Sequence, residues 1–184
     1  ADDCLPMKTL EIFEESTQEN PLDIYIGRYI DNKSEDEGDI KSEKINFNHL
    51  REDLVYCIIS HEDTFPTYAI GGPWGKLFSR SYLKENNIYF IPGLKKCQDR
   101  LFMLECVQHT DNINFIDSIV YIYTVDNPTS ICVRYNPEIE KILDDVLFYT
   151  ERYIDKYYKS NNRIKYAFGL MHINFLIVIL KLKY

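Results

Sequence analysis

Basic residues are outnumbered in this 184-residue chain, with 21 Lys and Arg against 29 Asp and Glu and a formal net charge of −8. That balance argues against nucleic-acid binding, which normally depends on a basic patch or stripe. It does not exclude an anionic substrate, because a metal ion can bridge carboxylates to phosphate. Cysteine is poorly spaced for metal or disulfide chemistry. The five residues Cys4, Cys57, Cys97, Cys106 and Cys132 are odd in number and form no CxxC pair. A zinc site and a disulfide framework are therefore not expected, and a reducing cytoplasm is. The motifs GxGxxG, HExxH and GxSxG are missing. Residues 70–77 (IGGPWGKL) superficially resemble a phosphate loop, but the first glycine is misplaced and no Ser or Thr follows Lys76. The four histidines, 49, 61, 109 and 172, show no ligand spacing. The start, Ala1-Asp2-Asp3, has no initiator Met, basic region or apolar region. It is expected to continue from an upstream segment.

Hydrophobic residues at 45% and charged residues at 27% describe a globular chain, and this length can bury a core without staples. The periodicity predicts a helix from Pro6 to about Glu15 with Leu10 and Phe13 on one face, then a strand over Leu22–Ile30. Residues 31–44 read as a solvated charged loop. A helix is expected over Phe47–Ile59, a short helix over Lys76–Glu85 and a short strand over Ile88–Ile91. Asp99–Gln108 reads as a helix with Asp99 at its N-cap, and Ile113–Val125 as a strand ended by Asp126-Asn127-Pro128. Asn136-Pro137-Glu138 starts a helix whose Ile139, Ile142, Leu143, Val146, Thr150, Tyr153, Ile154 and Tyr157 recur at helical spacing. A last helix follows over Arg163–Tyr184. Its apolar stretch, Tyr166–Leu180, has fifteen residues, against the roughly 20 that span a bilayer. A packed helix is expected there. The alternative is an interfacial helix flanked by Arg163, Lys165, Lys181 and Lys183. The order of elements gives an α/β sheet protein with a C-terminal helical appendage.

Three places can carry chemistry. Asp2 and Asp3 put adjacent carboxylates before a helix, a pairing that invites Mg²⁺ or Mn²⁺ but equally suits a helix cap. Gly71-Gly72-Pro73-Trp74-Gly75-Lys76 shapes a loop around the only tryptophan. That indole could face a sugar ring or simply anchor the loop, and Lys76 could meet a phosphate. Asp99 opens a helix, where a fixed carboxylate could serve as general base toward a hydroxyl or only as a cap.

Taken in order, these segments resemble the second half of a family 2 glycosyltransferase with the GT-A fold. ADDCL resembles the end of an Asp-x-Asp motif. PWGKLFSRSYLKENNIYF resembles the Trp-x-Lys-Leu segment, GLKKCQDRLFMLE the Glu-Asp motif, and VYIYTVDNPTSI the strand and turn that follow. The match covers roughly residues 1–132. The nearest look-alikes build bacterial capsular or other surface polysaccharides. The resemblance implies a partial GT-A-like mixed sheet flanked by helices. It implies an acceptor-side portion over 1–135 and a helical extension over 136–184.

By the same resemblance, Asp2 and Asp3 meet the donor diphosphate, with Asp3 the direct ligand of Mg²⁺ or Mn²⁺. Asp99 is the catalytic base, and Trp74, Lys76 and Gln98 face the acceptor. The reaction implied is an inverting transfer from a nucleotide-diphosphate sugar to a saccharide or lipid-linked acceptor, with no nucleic acid involved. From the residues themselves, the cysteine pattern points to the cytoplasm, the basic-flanked helix over 163–184 would make peripheral contact at the inner face of the membrane, and a homodimer would cover core surface left bare by a missing half. Gln98 stands where the family has Glu, and the family's nucleotide-binding half has no counterpart here. The alternative expectation is a non-catalytic truncated remnant or protein-interaction module.

Overall fold

A computed structural model describes residues 3–19, 21–33, 49–62, 65, 67–125 and 136–183. Asp2, most of the charged loop at 31–44 and the strand end at 126–128 fall outside them. Nine elements follow in the described residues. They are α1 (Thr9–Glu19), β1 (Ile24–Asp31), α2 (Leu50–Ser60), β2 (Lys76–Phe78), α3 (Arg80–Glu85), α4 (Gln98–Gln108), β3 (Ile113–Tyr123), α5 (Ile139–Tyr157) and α6 (Asn162–Lys183).

The sheet has the order β2-β1-β3, with β2 antiparallel and β3 parallel to β1. As the central strand, β1 is buried on both faces. Ile24 and Ile26 face the main core, and Tyr25 joins Phe13, Ile116 and Val120 under α1. The second face leaves no space at Gly27, where a Cβ would lie 2.2 Å from Val120 Cγ2. Only glycine lets β1 and β3 approach this closely. The register shifts around Arg28, immediately after this glycine.

On the other face, α2, α4, α5 and α6 close the main core. Ile139, Leu143, Val146, Tyr153 and Ile154 of α5, and Ile164, Ala167, Met171 and Phe175 of α6, share it with Leu54, Ile58 and Met103. Burying one such Leu or Ile side chain is worth about 2 kcal/mol. The C-terminal helices are thus held by the same core as the sheet. The expected α5 face is seen almost position for position, and only Tyr157 stays half-buried at its end.

Four expectations change. The segment 76–85 is not one helix. Residues 76–78 pair with Ile24–Ile26 as β2, and α3 begins after Ser79, whose hydroxyl oxygen accepts from the Tyr82 N–H at 3.3 Å. Ile88–Ile91 forms no strand, because it meets no sheet edge. Ile88 is instead buried, and its N–H donates to the Leu83 carbonyl at 2.9 Å. Asp99 is not the N-cap of α4. Cys97 takes that place in a left-handed conformation (φ 54°), and its carbonyl accepts from the Leu101 N–H. Leu10 does not join Phe13 inside; it is 75% exposed, since α1 covers the sheet with its other side.

Candidate functional site

The residues around Trp74 are placed by backbone constraints that begin with glycine. Gly75 has φ +65°, a left-handed value that favours glycine. At Gly72 a Cβ would come within 2.5 Å of Trp74 Nε1, so the indole lies directly over that backbone. Lys76 turns back beneath its own loop. Its ammonium donates to the carbonyls of Ala69, Gly72 (2.6 Å) and Trp74 (3.4 Å). Burial pushes the Lys76 pKa down to about 7, while three carbonyl acceptors suit the protonated form. Lys76 therefore staples the loop from within.

The indole is held by aromatic rings from the carboxyl ends of the two parallel strands. Tyr121 and Tyr123 of β3 stack on it at 4.8 and 5.4 Å, and Tyr29 of β1 meets it edge-on at 5.0 Å. In open α/β sheets, ligands bind outside the carboxyl ends of the strands. There the residues enclose a cavity of about 310 Å³ lined by Trp74, Asp99, Arg100, His61, Tyr29 and Tyr68, among others.

Asp99 reaches this cavity from the first turn of α4. One carboxylate oxygen accepts from the Arg100 N–H at 2.8 Å. The other has no hydrogen-bond partner among the described residues and remains available to a proton donor in the cavity. The Arg100 guanidinium donates to the Ile58 carbonyl at 3.0 Å and lies beside Gly71, where a Cβ would be 3.5 Å from it. His61 ends α2 in a left-handed conformation (φ 63°) and meets the ring of Phe175 at 6.0 Å. Its Nε2 is buried with no hydrogen-bond partner among the described residues. Burial, followed by the Arg100 charge, pushes its pKa down to about 4, so the imidazole is neutral at pH 7.

Asp3 lies to one side. Its carboxylate accepts from the Tyr121 hydroxyl and from the Thr124 N–H, both at 2.8 Å. Cys4 exchanges two backbone hydrogen bonds with Ile122, which fixes this segment along β3. Asp3 and Trp74 are thus joined through one residue, Tyr121.

Of the residues singled out in the sequence, Trp74 and Asp99 line one cavity, and Asp3 is tied to its wall. Lys76 and Gln98 do not line it. Lys76 lies behind the loop, and Gln98 faces solvent at the start of α4. Among the described residues, no group of three or more His, Cys, Asp or Glu side chains could hold a metal. A magnesium-type ion needs only one or two protein carboxylates when substrate phosphates complete its shell. Both Asp3 oxygens already accept a hydrogen bond, so an ion there would need substrate phosphates to complete its shell.

No protein-family model matches the sequence, and no curated protein does. Solved structures do. The chain is similar to S. aureus TarS 1-349 in complex with UDP-GlcNAc, with TM-score 0.62 and 17% identity over 92% of this chain and 45% of that one. The fold is glycosyltransferase-like. TarS 1-349 gives TM-score 0.51 at 15% identity, over 96% of this chain and 63% of that one. Its complex with UDP gives TM-score 0.50 at 19% identity, over 81% and 38%. The chain thus spans between 38% and 63% of the length of these solved chains.

Arg100 and His61 were not foreseen as site residues. Arg100 adjoins Asp99, which could have drawn notice. His61 could not be found by spacing, because it reaches the cavity only when α2 packs beside α4.

Proposed function

We propose that this chain is the acceptor-side part of a family 2, GT-A-type glycosyltransferase acting in polysaccharide biosynthesis. One observation carries the reading. Asp99 and Trp74, far apart in sequence, line the same cavity at the carboxyl ends of β1 and β3. The glycosyltransferase-like fold supports it, as does the UDP-GlcNAc bound by the similar TarS structure.

In this mechanism the acceptor sugar lies against the Trp74 loop. The unpartnered Asp99 oxygen takes the proton of the acceptor hydroxyl. The acceptor oxygen forms a bond to the anomeric carbon from the face opposite the diphosphate. The carbon–oxygen bond to the diphosphate breaks, its electron pair leaves with the nucleoside diphosphate, and the anomeric centre inverts. Asp3, with Asp2, would hold Mg²⁺ or Mn²⁺, and the metal would supply neutralisation of the charge on the leaving diphosphate. Arg100 lies beside the loop at Gly71, tied to the Ile58 carbonyl, while Asp99 acts. Neutral His61 brings no second positive charge to the cavity.

The test uses the full chain with UDP-GlcNAc and other nucleotide sugars, with Mn²⁺. The expected result is a donor-dependent rise in Tm that Asp3→Ala loses. Sugar transfer to saccharide acceptors should be abolished by Asp99→Asn, with the rise in Tm retained. Absence of both stabilisation and transfer across the donor panel would overturn activity by this chain itself, in favour of a non-catalytic module.

A further inference from the structure

The outward face of α6 is an apolar stripe left exposed among the described residues. Tyr166, Ile173, Leu176, Ile177 and Leu180 are between 42% and 61% exposed. At α-helical spacing these five fall within an arc of about 100°. The opposite arc carries Ile164, Ala167, Met171 and Phe175, all buried in the main core. Lys165 and Lys181 are exposed and flank the stripe on its two sides, near opposite ends of the helix.

The charge of this segment is set apart from the rest. Residues 162–184 contain four of the 21 basic residues and none of the 29 acidic ones. The remaining chain has 17 basic residues against 29 acidic. Of the four, Arg163 is used inside the fold, paired with Asp53 at 2.6 Å and lying over the Tyr56 ring. The stripe is therefore apolar, edged by lysine and free of carboxylates on an otherwise acidic molecule.

We infer that α6 is a docking surface for an anionic lipid bilayer and lies flat on it. The apolar stripe enters the interface, and Lys165 and Lys181 meet the headgroups. By length and composition alone, α6 could cross a membrane. Crossing would pull Ile164, Ala167, Met171 and Phe175 out of the core, whereas lying flat leaves them buried. A second copy is the weaker occupant. Pairing two stripes would bring two acid-free, lysine-edged helices together, with no carboxylates on them to offset the charge. This inference does not depend on the proposed transfer reaction and can fail separately from it.

The test is flotation of the full chain with vesicles of phosphatidylcholine alone or with about 30% phosphatidylglycerol, at low and high salt. The chain should float with the anionic vesicles and be released by salt. Lys165→Glu with Lys181→Glu should weaken binding by about tenfold or more. Leu176→Ser with Leu180→Ser should abolish it. Both changes lie on exposed positions, and near-UV circular dichroism checks that the fold is kept. Three outcomes overturn the inference. They are failure to bind anionic vesicles, equal binding to neutral ones, and undiminished binding by the serine variant. A dimer dissolved by the serine changes, without vesicle binding, would assign the stripe to a second copy.

Discussion

Trp74 stacks on Tyr121 with ring centroids 4.8 Å apart, and the hydroxyl of the same tyrosine donates to Asp3. One side chain therefore positions both the loop over the cavity and the carboxylate beside it. Tyr121→Phe keeps the ring and removes only the donor. It should cost about 1.5 kcal/mol in urea unfolding and leave the emission of Trp74, the only tryptophan, unchanged. If Asp3 meets the donor diphosphate, stabilisation by nucleotide sugar should fall as well. A shifted emission would show that the hydroxyl also holds the ring.

Gly72→Ala should displace the indole. The added methyl would lie 2.5 Å from Trp74 Nε1 and 2.9 Å from its Cδ1, inside van der Waals contact. The expected loss is about 2 kcal/mol, with a red-shifted tryptophan emission as the ring turns toward water. Unchanged emission would mean that the backbone, and not the ring, gives way.

Lys76→Met should cost more than a surface lysine change. Three carbonyls, those of Ala69, Gly72 and Trp74, would lose their shared donor inside the loop. A loss of about 2 kcal/mol is expected, read by urea denaturation and accompanied by increased quenching of Trp74 by acrylamide. A loss below about 0.5 kcal/mol, the range of ordinary surface substitutions, would remove the staple.

The half-buried His61 gives stability a pH dependence. Its pKa falls from 6.5 to about 4 on folding, so the unfolded chain binds the proton more readily between these values. The contribution is complete above pH 6.5 and is lost as pH falls toward 4. Between pH 7.5 and 5 the loss should be about 2 kcal/mol. His61→Gln should flatten this part of the profile, and an equally steep profile in the variant would assign the dependence to other groups.

The parts of the fold that could be read from sequence were those with local causes. The helix α5 shows its start in Asn136-Pro137 and its face in the spacing of Ile139, Ile142, Leu143 and Val146, all buried. Residues 76–78 read as helix because their strand conformation comes from pairing with β1, a partner some fifty residues away. The N-cap at Cys97 depends on a left-handed residue that has no glycine to signal it. At the site, Trp74 and Asp99 stood out by residue type and order. His61 lies at the end of a helix whose neighbours are set by the core, so its place was decided by packing at long range.

Phe175 and Ile173 lie two residues apart on nearly opposite sides of α6. One touches the His61 ring, while the other points away from the protein. The Asn174 amide between them donates to the Ser60 carbonyl, next to His61 in the chain. The cavity-lining His61 is thus backed by one side of the helix whose other side carries the outer stripe. A helix is on the order of 10 Å across, so His61 stands about that far from any surface on which the stripe rests. A bilayer there would act as a datum plane. Under the proposed transfer reaction, acceptor hydroxyls presented close to it would come within reach, and those carried far above it would not.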